Sequence, residues 1–63
     1  MTHLRNYVVG RIDRHERLLK QAQESYKRTK HESWAGRVGE LAGIVNELKL
    51  VLNKIDRQIE YNF

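Results

Sequence analysis

The apolar pattern in the first part of the chain is carried by Leu4, Tyr7, Val8, Ile12, Leu18, Leu19, Ala22 and Tyr26, and His15 falls among them. The positions 8, 12, 15, 19, 22 and 26 step alternately by four and three, which is the spacing of one helix face. Arg14, Arg17, Gln21, Glu24 and Arg28 occupy the remaining face, Gly10 lies off the apolar line, and Thr2 is placed to cap the N-terminus. The pattern predicts a helix over about residues 3–28.

The run Lys27-Arg28-Thr29-Lys30-His31-Glu32-Ser33 breaks that line with seven polar residues. Thr29 and Glu32 have capping-box spacing, and Ser33 is an alternative cap. The next apolar line begins at Trp34, one residue out of phase. A turn near 28–33 accounts for both features. The run holds no glycine or proline, so a single bent helix is the competing reading.

From Trp34 the line passes through Val38, Leu41, Val45, Leu48, Leu52, Ile55 and Ile59, stepping by four and three throughout. This heptad seam predicts a second helix over about 32–61. Ile44 and Val51 flank the seam on one side, and Ala35 and Ala42 on the other. The apolar stripe is thus wider than contact with a single helix requires. Each helix would be about 40 Å long at 1.5 Å per residue. The expected fold is all-α, a two-helix antiparallel hairpin forming one domain over 1–63. Two helices leave half of each stripe wet, so the expectation extends to a homodimer closing into a four-helix bundle. Val8, Ile12, Leu19, Ala22, Val38, Leu41, Ile44, Val45, Leu48, Val51, Leu52, Ile55 and Ile59 are assigned to the core or dimer seam.

Composition narrows this picture. Sixty-three residues make at most one marginal domain, and there is no cysteine to staple it or to hold zinc through thiolates. The absence of proline and the 32% of charged residues suit long exposed helices. No apolar run approaches the roughly 18 residues of a membrane span. Met1-Thr2-His3-Leu4-Arg5 lacks the basic-then-apolar order of a signal peptide. A cytoplasmic protein without a membrane role is the expectation.

Within the second helix, Gly36, Gly39 and Gly43 lie beside Ala35 and Ala42. Each glycine costs a helix up to about 1 kcal/mol relative to alanine. The functional reading is a partner-binding patch of Trp34, Ala35, Gly36, Gly39, Ala42, Gly43 and Leu50, with Trp34 as its anchor. The plainer readings are close packing against the chain's own first helix or its dimer twin, and a second helix that starts late.

Charge is uneven: residues 1–31 hold eight Lys/Arg against three Asp/Glu, whereas residues 32–63 hold four against five. A basic helix face can follow phosphates. Yet Asp13–Arg17, Glu16–Lys20 and Glu24–Arg28 have the spacing of helix-surface pairs. Arg5, Arg11, Arg14, Lys27 and Lys30 are left as the candidate nucleic-acid contacts, without a base-stacking or helix-turn-helix motif. His3, His15 and His31 are too scattered for a helical metal pair, and no phosphate loop or metal-binding motif is present. His15 reads as a hydrogen-bonded boundary residue. The expectations are no cofactor, no metal and no enzymatic activity.

In length and inferred hairpin shape the chain resembles the Rop-type plasmid RNA-binding dimers, a similarity of architecture that covers no motif and carries over no residue. It is also similar in style to short phage and prophage reading frames, which often encode helical inhibitors or adaptors. The function expected is protein–protein contact with a macromolecular partner, as inhibitor or adaptor. The alternatives are a small RNA- or DNA-binding dimer and a purely structural assembly subunit.

Overall fold

The computed structural model describes the backbone of residues 2–61 and the side chains of residues 3–58. The Ile59 position in the seam and the Thr2 cap fall outside the described side chains. Two helices, α1 (Thr2–Thr29) and α2 (Glu32–Tyr61), pack against each other. The body measures 50 × 14 × 11 Å. A continuous helix of this many residues would be about 90 Å long, so the chain folds back on itself. The bent-helix alternative does not hold.

The connection is only two residues, Lys30 and His31, and manages without glycine. Lys30 takes the left-handed conformation, with φ of 57°. Its N–H donates to the Tyr26 carbonyl at 2.7 Å, which closes α1 as an αL cap. Its ammonium lies 5.7 Å from the centre of the Tyr26 ring, a cation–π contact that helps hold the strained residue. Thr29 bonds backwards instead of forming the expected capping box. Its hydroxyl donates to the Ser25 carbonyl at 2.9 Å and accepts from the His31 N–H at 3.3 Å.

His31 itself caps α2. The Ser33 N–H donates to His31 Nδ1 at 3.2 Å, the bond that a serine or aspartate cap normally supplies. The Ser33 hydroxyl lies 2.8 Å from the same nitrogen. Ser33 is therefore the group that is capped and not the cap.

Alternation by three and four turns Val8, Ile12 and Ala22 of α1 towards Leu41, Val45 and Ile55 of α2, and these six are buried. Val8, Ile12 and Ile55 form a cluster that Leu48 and Leu52 partly cover. Leu18, Leu19 and Val38 are half-buried. The hairpin core is therefore one layer thick, and it ends where a third helix would begin. Ile44 and Val51, assigned to the seam, remain 40% and 45% exposed, because they sit on the flank of α2, which no described residue covers.

Candidate interaction surfaces

The hairpin has two unlike edges and a back. On one edge Arg5 Nε donates to Asp56 Oδ1 at 2.8 Å, and Lys49 Nζ lies 3.5 Å from Glu16 Oε1. Both pairs join α1 to α2. Arg5 was expected to be unmatched and Glu16 to pair with Lys20, so the structure corrects both assignments. Each side chain reaches a better-placed opposite charge on the other helix. Asp13–Arg17 does form along α1, at 2.7 Å. Glu24 and Arg28 make no ion pair within 4.0 Å among the described residues. Nearer the turn this edge opens into a trough of about 580 Å³ beside Tyr26, Lys27, Ala35 and Val38.

The other edge carries no interhelical ion pair among the described residues. Positions 4, 7, 11, 14, 18, 21 and 25 form one row of α1 by the same stepping, and positions 37, 40, 44, 47, 51, 54 and 58 form a row of α2. A groove near the turn brings Leu18, Gln21 and Ser25 together with Arg37, so the two rows share this edge. Leu4, Tyr7, Ile44 and Val51 are exposed along it, Tyr7 by 65%. Among its charges, Arg11 and Arg14 belong to α1, and Glu40 and Glu47 to α2. Arg37 lies 4.0 Å from Glu40, one turn along the same helix.

The back of α2 holds the glycines. Gly36, Gly39, Gly43 and Leu50 lie roughly half a turn of helix from Leu41, away from α1. A Cβ built on any of the three glycines would meet nothing within 4 Å. The chain's own first helix therefore does not lie against them. Leu50 is 56% exposed on the same side. Trp34 turns the other way, into the groove with Leu18, Ala22 and Leu41. Ala35 lines the trough on the ion-paired edge, and Ala42, about a quarter-turn from Leu41, belongs to that side as well. The patch drawn from sequence is thus three surfaces, and only Gly36, Gly39, Gly43 and Leu50 remain together.

The five candidate phosphate contacts also separate. Arg5 is engaged by Asp56, Arg11 and Arg14 lie on the apolar edge, and Lys27 lines the opposite trough. Lys30 sits over Tyr26 at the turn. His15 is half-buried, and its Nδ1 lies 2.8 Å from the Arg11 carbonyl, to which it donates. Among the described residues, no group of three or more His, Asp or Glu is placed to hold a metal ion, and no helix is long and apolar enough to cross a membrane. No family model, curated protein or solved structure matches the chain.

The sequence reading missed the difference between the two edges. Its signal was available: α1 and α2 place opposite charges at Arg5 and Asp56 on one side, whereas Leu4, Tyr7, Ile44 and Val51 mark the other.

Proposed function

We propose that the chain is a non-enzymatic helical module that works by protein–protein contact, as an inhibitor or adaptor of a macromolecular partner, in the form of a homodimeric four-helix bundle. The observation that carries this reading is the open glycine face. Three glycines within α2 cost it stability, and among the described residues no atom of α1 takes up the space they leave. A bare, nearly flat helix face with one exposed leucine suits the close approach of another backbone. The nucleic-acid reading is less well supported, because its basic residues do not share one face.

The test uses the immobilised full chain, with Gly39→Ala and Gly39→Leu beside the parent. Helix content of each variant is checked by circular dichroism. The proposal expects a protein held by the parent and by Gly39→Ala but lost from a folded Gly39→Leu. Retention of every bound protein by Gly39→Leu contradicts it.

A further inference from the structure

The edge bearing Leu4, Tyr7, Leu18, Ile44 and Val51 has its own occupant. We infer that a second copy of the chain covers it, with both turns at the same end and α1 of each copy against α2 of the other. This inference rests on the homodimer proposed above and specifies its face and direction. The glycine back is left free.

The accessible surface is 5270 Å², whereas an isolated globular protein of 7.5 kDa exposes roughly 4,200 Å². The excess of about 1,000 Å² is comparable to the roughly 800 Å² that each partner contributes to a stable interface. Away from the trough near the turn, the ion-paired edge is bridged by Arg5–Asp56 and Glu16–Lys49. The apolar edge is the one left to cover.

Charge fixes the direction. Arg5 bonds Asp56, and both helices rise equally per residue, so residues whose numbers sum to about 61 lie level. Arg14 is therefore level with Glu47, near the middle of both helices. Leu18 is level with Ile44, Gln21 with Glu40, and Tyr7 lies one turn from Val51. A two-fold axis parallel to the helices sets α1 against α2 of the second copy at the same height. Arg14 then meets Glu47 of the second copy, Arg11 falls between Glu47 and Lys54 of the second copy, and Leu18 faces Ile44. A perpendicular axis sets α1 on α1 and brings the row holding Arg11 and Arg14 against the same row of the second copy. Like charges directly opposed across an interface disfavour that arrangement.

Sedimentation equilibrium of the full chain at low salt, across micromolar concentrations, tests the inference. The parent, Arg14→Glu, Glu47→Arg and an equimolar mixture of the two variants are compared. The parent is expected to be a dimer, and each single variant to dimerise about tenfold more weakly. The mixture is expected to recover as a one-to-one heterodimer, in which both interchain pairs are again of opposite sign. Pairing within one chain cannot produce that recovery. Salt should shrink all these differences. A monomeric parent overturns both this inference and the homodimer. A dimeric parent with indifferent variants, or a mixture that does not recover, overturns the face and direction alone.

Discussion

Arg5 and Asp56, 51 positions apart in the chain, meet through a 2.8 Å bond between Nε and Oδ1. The bond ties the first turns of α1 to the far end of α2 and sets the level at which the two helices face each other. Its energy is a separate matter. Both side chains are more than two-fifths exposed, so solvent screens the pair. Asp56→Asn is expected to lower stability by less than about 1 kcal/mol, and by less still at high salt. Urea titration at two salt concentrations measures it. A larger loss, insensitive to salt, would mean that the pair is shielded by something outside the hairpin.

The His31 cap makes a sharper prediction, because the alternatives are graded. His31→Ala removes the acceptor that satisfies the Ser33 N–H and should cost about 0.5–2 kcal/mol. His31→Asn or His31→Ser should preserve most of the stability, since both side chains can accept the same bond. Urea midpoints that rank alanine level with asparagine would show that the imidazole does not cap the helix.

Gly39→Ala should raise stability by about 0.5–1 kcal/mol, because the new methyl meets nothing in the hairpin and the helix gains propensity. The urea midpoint reads the sign directly. A loss of stability would place another backbone against Gly39 in the isolated protein, and would move the second copy from the apolar edge to the glycine back.

Much of the fold was legible, for a physical reason. A core only one layer thick depends on a single stripe per helix, so spacing by three and four carries nearly all the information. Val8, Ile12, Leu41, Val45 and Ile55 show it directly. The turn was less legible, because Lys30 adopts the left-handed conformation without being glycine and His31 caps without belonging to the usual capping residues. Glu16 misled because helix-surface spacing favours Lys20, while Lys49 competes from a helix that sequence spacing does not place. The glycines misled in a related way. They sit close in sequence to Trp34 and Val38, but at a helical period they turn to the back of α2.

Leu41 and Ile44 separate the hairpin from the bundle. Leu41 is 2% exposed, so Leu41→Ala should cost about 2–5 kcal/mol, comparable to the whole stability of so small a domain, and leave the chain largely unfolded. Ile44 is open in one hairpin but covered in the proposed dimer. Ile44→Ala should therefore cost about 2 kcal/mol or more and weaken dimerisation at the same time, as denaturation and sedimentation together report. A loss below about 1 kcal/mol with unchanged association would leave Ile44 a surface residue.

In the proposed dimer, one hairpin is an unfinished core which a second copy completes. The thermal midpoint of the unmodified chain, followed by circular dichroism over a wide range of protein concentration, tests it most directly. Coupled dissociation and unfolding predicts a midpoint that climbs by about 5 °C for each tenfold rise in concentration. A cooperative transition at a midpoint independent of concentration, from a species that sediments as a monomer, would contradict the account.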